Sequence, residues 1–420
     1  MSRAPHVAVI YYSRNGTVHA LARAAAAGAG AGGAHVRLLR VEGDQRPGGA
    51  KDDLRRVPVA THEDLRWADG VVLGTPTYFG NIASPLKQFI DSTSDLWREG
   101  ALADRVVTGI TSSNSPHGGR ESTLLALYQS MYHWGALIMS AGHTDGAFTV
   151  TGANPYGVSA PSDPDGTVGD AHLRAAQALG LRLSRGAARM AGPGHPGSGH
   201  LGPSHPRAAA GRDAPPSGRP SRIAVICHPC ERGTWTLASA IAEGARKAGA
   251  EVRLLPVGPP QHGGGSRQAT PDDVEWADAF AFGAPALIGT VSPVLLQFLE
   301  ACEPLRESGK LDGKAATGFV TTPHPHSGSE SALLALYNAM HHWGVVIVPP
   351  GYTDPSVTTA GGNPYGISHT AARGALPSRE TLDAATFQGG RLARTTTRLR
   401  GLTHQGPVAL HGPMRSRAAR

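Results

Sequence analysis

The chain has 420 residues, 40% of them hydrophobic and 17% charged, and a formal net charge of +7. That length exceeds one ordinary α/β domain, and no run of about 18 apolar residues is present to span a membrane. The basic excess sits mostly in 191–220 (Arg207, Arg212 and Arg219 against Asp213) and in 401–420 (Arg415, Arg417 and Arg420 with no acid), so it makes no basic face for nucleic acid.

In chain order, His6–Tyr12 is a short apolar run suited to a strand buried on both faces. Thr17–Ala29 is Ala-rich and helical, Val36–Val41 is a second strand, and Gly70–Gly74 is a third, followed by a helix through Pro85–Ser94. Arg105–Thr111 is a fourth strand with a helix through Glu121–Tyr132, and Ala136–Ser140 is a fifth. A long insertion then precedes a closing helix near Asp170–Met190. Five βα units predict a doubly wound, five-stranded parallel sheet.

The same unit is written twice. STLLALYQSMYHWG (122–135) and SALLALYNAMHHWG (331–344) align without a gap at an offset of 209. GTPTYFGNIASPLKQFID (74–91) aligns in the same way with GAPALIGTVSPVLLQFLE (283–300), and GANPYG (152–157) with GGNPYG (361–366). One added residue brings VAVIYYSRNGT (7–17) onto IAVICHPCERGT (223–234). Residues 1–190 and 221–402 are therefore two like domains. The Gly/Pro/Ser-rich stretch 191–220 is expected to be a flexible linker, and 403–420 a disordered basic tail.

Ligands on such sheets bind at the carboxyl ends of the strands. There, Ser13-Arg14-Asn15-Gly16-Thr17 offers hydroxyls, a tight turn and a helix N-terminus, which suits a phosphate or an ordinary helix cap. Thr75-Pro76-Thr77-Tyr78-Phe79-Gly80-Asn81 can flank a flat ring or pack its aromatics on the sheet edge. Ser112 to Gly119 is rich in hydroxyls and amides, able to hold the polar edge of a heterocycle or simply to face water. His133 ends the next helix as a ligand-binding or an interior residue. The GxGxxG match at Gly28–Gly33 follows a helix and precedes a strand, the reverse of a dinucleotide fingerprint, so it reads as a helix end.

Together, YYSRNGT, GTPTYFGN, FIDSTSDLWREGAL, SSNSPHGGRE, HWG and NPYG resemble the WrbA-type NAD(P)H:quinone oxidoreductases, flavodoxin-like enzymes that use FMN. The resemblance covers nearly all of the first copy. It implies two flavodoxin-like domains. In the first, Ser13, Arg14, Asn15, Gly16, Thr17 and Val18 bind the FMN phosphate, and Thr77, Tyr78 and Phe79 flank the ring. Ser113, Asn114, Ser115, Pro116, His117 and Gly118 hold the polar edge and ribityl, and His133 contacts the flavin. It places Asn15 by the nicotinamide nucleotide and Trp97 against the quinone. The third loop departs from the family's Gly-rich run: Pro116 supplies no N–H and His117 adds bulk.

The second copy has lost these groups. Pro229-Cys230-Glu231-Arg232 replaces the Ser13 region, Ala284 and Ala286 replace Thr75 and Thr77, and Leu287 and Ile288 replace Tyr78 and Phe79. Arg306 stands for Trp97 and Pro323 for Asn114. Losing several charge-assisted contacts at about 1.5–3 kcal/mol each abolishes tight FMN binding, so this copy is expected to be degenerate and flavin-free. It would still supply a partner surface, including Trp343 and Tyr365, in an intramolecular pseudo-dimer, with homo-oligomers beyond that. Its Cys227-His228-Pro229-Cys230 reads as packing thiols, a redox dithiol or a zinc site.

The expected activity is hydride transfer from NAD(P)H to FMN and then two-electron reduction of a quinone, with no catalytic nucleophile and no metal. The rival readings are a non-enzymatic FMN electron carrier and a flavin-free interaction module. Three cysteines make no disulfide framework, and no signal peptide precedes the first strand. Both features point to the cytoplasm, and the Arg, Ala and Gly bias to a bacterial genome.

Overall fold

The structure, a computed structural model, describes residues 3–43, 51–143, 145–163, 165–191, 219–258 and 267–402. The expected linker, apart from Ala191, Arg219 and Pro220, and the expected tail lie outside the described residues.

The first half contains β1 (His6–Tyr11), β2 (His35–Arg40), β3 (Gly70–Tyr78), β4 (Asn81–Ile82), β5 (Val106–Ser113), β6 (Leu137–Met139) and β7 (Val158–Pro161). The second contains β8 (Arg222–Cys227), β9 (Glu251–Pro256), β10 (Ala279–Leu287), β11 (Thr290–Val291), β12 (Ala315–Thr322), β13 (Val346–Ile347) and β14 (Ile367–Thr370). The order β2-β1-β3-β5-β6 is parallel throughout, as five buried βα units dictate. The fifth position is split. β6 pairs the start of β5 through Val106 and Val107, the insertion follows, and β7 pairs its end from Ile110 onward.

Helices cover both faces. Thr17–Ala31 packs against Asp170–Met190 on one side, and Arg120–Trp134 crosses behind β5 on the other. The first contact explains the opening glycine of the run read as a helix end. A Cβ on Gly28 would lie 1.9 Å from the Gln177 carbonyl oxygen, so this position is glycine because two helices touch backbone to backbone. The helix expected over Pro85–Ser94 is broken into Ser84–Asp91 and Ser94–Arg98. The turn between them lets Thr93 Oγ1 donate to the Ile90 carbonyl.

The two halves are one sheet. β6 and β13 pair antiparallel, Ile138 opposite Ile347 and Met139 opposite Val346, giving a continuous sheet of 14 strands. Both apolar layers, one on each face, draw residues from both halves. Ile138 and Ile347 are equivalent positions, so a pseudo-twofold axis passes between them, as in an isologous dimer. Two arginines repeat the symmetry. Arg182 pairs with Asp312 at 2.5 Å and donates to the Ser140 and Gly344 carbonyls. Arg391 pairs with Asp104 at 2.7 Å and donates to the Pro349 and Gly135 carbonyls. Among the described residues no helix is long and apolar enough to cross a membrane.

Candidate functional site

The first loop turns at Gly16, whose φ of 104° is one a side chain rarely adopts, and hands over to the helix Thr17–Ala31. Ser13 Oγ accepts from the amides of Gly16 and His19, both at 3.2 Å, which leaves its own hydroxyl proton to donate. Asn15 is tied down, donating to Ser162 Oγ and the Asp163 carbonyl, each at 2.8 Å. Val18 is buried in the core, so it can serve a ligand only through its backbone. Ser112 Oγ, at the end of β5, is buried without a hydrogen-bond partner among the described residues. Among the described residues, Thr17 Oγ1 has only a 3.5 Å contact with Ser162 Oγ. The equivalent pair in the second half, Thr234 and Thr321, closes on itself at 2.8 Å. The first half thus presents a hydroxyl-lined cradle at a helix N-terminus, which fits the phosphate and ribityl of FMN.

The second loop leaves β3 through Thr77, whose hydroxyl contacts Thr111 and Thr123 at 3.1 Å. Tyr78 is half-buried against the core, whereas Phe79 is fully exposed at φ 50°. That backbone is strained for a bulky residue, and it carries the aromatic tip clear of the sheet. The third loop comes close. A Cβ on Gly119 would lie 2.6 Å from Gly80 Cα, so the two loops share one wall. Ser113 Oγ donates to the Ser115 carbonyl, while Asn114, Ser115, Pro116 and His117 are exposed and Gly118 is half-buried. Arg120, which sequence reasoning passed over, donates from Nε to Ser113 Oγ at 2.8 Å. It places a cation beside the expected polar edge, and only its position at the start of the helix after the loop hinted at this.

The structure does not bring Trp97 and His133 to these loops: they meet at the amino edge of the first-half sheet, the far end of helix Arg120–Trp134, under Tyr352 and Tyr365 of the second half. Trp97 Nε1 donates to the His133 carbonyl at 3.0 Å, and its ring lies edge-on to Tyr352 at 5.5 Å. His133 Nε2 is 3.2 Å from the Tyr365 hydroxyl. Desolvation lowers the His133 pKa and Glu330 partly offsets it, so the ring is neutral near pH 7. Of the two residues expected to supply partner surface, Tyr365 does. Trp343 does not: it is buried in its own half against Phe280 and Phe282. Tyr352 had no sequence signal, because its role depends on where the halves join.

The pseudo-equivalent cluster, at the carboxyl edge of the first half that carries the three loops, is polar. Arg306 Nη1 meets His143 Nδ1 at 3.1 Å, and His143 stacks edge-on to His342 at 5.0 Å. At the N-terminus of the second half's first helix, Arg232–Lys247, Glu231 Oε2 is buried without a hydrogen-bond partner among the described residues, where it opposes any phosphate. Burial pushes the Cys227 thiol well up and the Cys230 thiol up to about 11, away from the thiolate that a reactive dithiol needs. Among the described residues no group of three or more His, Cys, Asp or Glu could hold a metal.

Comparison with known proteins bears on both halves. The family model described as NADPH-dependent FMN reductase matches residues 5–146 and again 222–355. A protein of Deinococcus radiodurans named NAD(P)H dehydrogenase (quinone) is 38% identical over 162 residues, covering 36% of this chain and 81% of that protein. One of the same name from Syntrophobacter fumaroxidans is 34% identical over 199 residues, covering 44% of this chain and 98% of that protein. Among solved structures, a WrbA-like flavodoxin protein from Agrobacterium tumefaciens is 24% identical with a TM-score of 0.34, covering 44% of this chain and 99% of that one.

Proposed function

The chain belongs to the NADPH-dependent FMN reductase family, and from that premise we propose that it is an FMN-dependent NAD(P)H:quinone oxidoreductase with its working site in the first half. The relatives' shared name supports the reaction. The observation that carries the location is the hydroxyl pair. Ser112 Oγ is left buried and unpartnered, whereas its counterpart Thr321 is satisfied internally.

In this reading Ser13, Arg14, Asn15, Gly16, Thr17 and the Val18 amide hold the phosphate. Thr77, Tyr78 and Phe79 flank the ring. Ser113 to Gly118, with Arg120, hold the ribityl and polar edge. FMN, when bound, supplies the two-electron chemistry that links nicotinamide to quinone. The protein binds and orients. Asn15, at the loop's outer side, braces the nucleotide side, and Arg306 and His342 of the second half, against His143 and Tyr156, close the acceptor side in place of the expected Trp97. His133, Tyr352 and Tyr365 close the second half's own edge, where Glu231 denies that half an anion. The two domains, 1–190 and 221–402, act as a pseudo-dimer. Three free cysteines suit a reducing cytoplasm.

The test is NAD(P)H oxidation with benzoquinone by the full chain. Turnover is expected to require FMN, and Arg306→Ala is expected to lower kcat/KM for the quinone by about tenfold, or 1.4 kcal/mol, whereas Trp97→Ala leaves it unchanged. FMN-loaded protein that reduces no quinone would refute the reading.

A further inference from the structure

Trp97, His133, Tyr352 and Tyr365, which meet at the second half's carboxyl edge, have counterparts at the first half's: Arg306, His342, His143 and Tyr156. The histidine and one tyrosine are kept. The other two residues change, and in each cluster they touch. Trp97 lies edge-on to Tyr352 at 5.5 Å, whereas Arg306 Nη1 is 3.1 Å from His143 Nδ1. We propose that Arg306, contributed by the second half, is a specificity-determining residue of the first half's site and selects a quinone that carries an anionic substituent such as a carboxylate. This rests on the reading of the first half as the reaction site.

The arginine is built in. Tyr352 donates its hydroxyl to the Gly362 carbonyl at 2.8 Å, and His143 makes the matching bond from Nε2 to the Ala153 carbonyl at 3.0 Å. That use of the ring proton leaves a lone pair on Nδ1, which accepts from Arg306. Histidine in place of tyrosine thus keeps the anchor and adds the acceptor that an arginine needs. Glu303 steadies the other side, its Oε1 accepting from Arg306 Nε and Nη2. The counterpart of Glu303 is Ser94, so this prop also came with the arginine. Of the five N–H groups on a guanidinium, Glu303 takes two and His143 one, which leaves two for a ligand among the described contacts. Glu303 is 50% exposed and Arg306 19%, so water screens the carboxylate more than the guanidinium. The free N–H groups suit a carboxylate better than an apolar ring.

The cluster adjoins the ligand loops. Tyr156 lies just before β7, which pairs with the end of β5 as far as Ser113. Its phenol is raised by burial and by Glu121, in the first turn after the third loop. His342 lies edge-on to Tyr156 at 5.8 Å and to His143 at 5.0 Å. Burial lowers the His342 pKa, so the standing positive charge in this wall belongs to Arg306.

The test uses the FMN-loaded full chain with two acceptors, menadione and naphthoquinone sulfonate. Arg306→Trp, which installs the counterpart residue, is expected to lower kcat/KM for the sulfonate relative to menadione by about tenfold or more. The intrinsic reactivity of each acceptor divides out of that comparison with the parent. Arg306→Lys should keep more of the preference, and Trp97→Arg, at the opposite edge, should leave it as in the parent. Calorimetric titration with naphthalene sulfonate, which accepts no electrons, should show a like loss of affinity in Arg306→Trp. An unchanged ratio in Arg306→Trp, or equal loss on both acceptors, overturns the proposal. So does a raised KM for NADPH but not NADH with the acceptor ratio unchanged, which would assign the guanidinium to the nucleotide phosphate. If Trp97→Arg alters the ratio and Arg306→Trp does not, the first-half site reading falls as well. A parent that reduces neither quinone refutes the oxidoreductase reading, and the titration then still decides whether Arg306 holds an anion.

Discussion

His341 stands where the first half has Tyr132, and the two meet across the pseudo-twofold axis, Tyr132 Oη 3.3 Å from His341 Nε2. His341 is completely buried, with Tyr128 and Tyr156 ring to ring and His342 adjacent in the chain. Burial, reinforced by His342, holds its pKa down to about 3 against an ordinary 6.5. The unfolded chain therefore binds a proton that the folded chain refuses. The stability from this group is complete above about pH 6.5 and falls between there and pH 3, by up to about 1.4 kcal/mol per pH unit. Urea unfolding from pH 7 to 4.5 is expected to show that slope, reduced in His341→Asn. Equal slopes in the two proteins would place the acid sensitivity elsewhere. At this scale the sequence announced the hydroxyls and aromatics of the first-half loops, because their residue types are unusual at strand ends. It did not announce Ser112 as the unpartnered atom, since satisfaction depends on a neighbour from a different strand.

The helices were legible where they are long and periodic. Asp170–Met190 has the bounds expected of it. The short helix His62–Trp67 was missed although Thr61 and Asp64 form a reciprocal capping box: it spans six residues, too few for a 3.6-residue period to repeat. The Gly-rich end of the first helix was legible as a helix end but not as a contact. Four glycines make the same one. Added Cβ atoms on Gly28, Gly180, Gly244 and Gly389 would each lie 1.9 Å from a backbone carbonyl oxygen of the facing helix. Backbone cannot yield as a side chain does, so Gly180→Ala is expected to cost about 1–3 kcal/mol despite alanine's better helix propensity. Chemical denaturation measures this, and a neutral or stabilised variant would mean that the helices can separate freely.

Over the whole molecule, the repeat told that there are two like units but not that their sheets fuse. β6 and β13 have three and two residues, too few to mark themselves as a joining edge. The symmetric arginines were equally silent, because each acts on carbonyls of both halves. Arg391 is 7% exposed, and its removal breaks its ion pair with Asp104 and its hydrogen bonds to the Gly135 and Pro349 carbonyls. Arg391→Met is expected to destabilise the chain by about 3 kcal/mol and to loosen the Trp97–Tyr352 contact across the join. Thermal unfolding and Trp97 fluorescence would report both effects, and an unchanged melting temperature would show that the join does not depend on this pair.

The fused sheet gives the two halves unequal tasks, one holding flavin and the other roofing it. The stoichiometry of FMN bound per full-length chain, measured by flavin absorbance after saturation and removal of excess, tests that division most directly. One FMN per chain, lost when Ser13 and Thr17 are replaced by alanine and unaffected by Glu231→Gln, is the expected result. Two FMN per chain, or one that survives the Ser13 and Thr17 replacements, would contradict it.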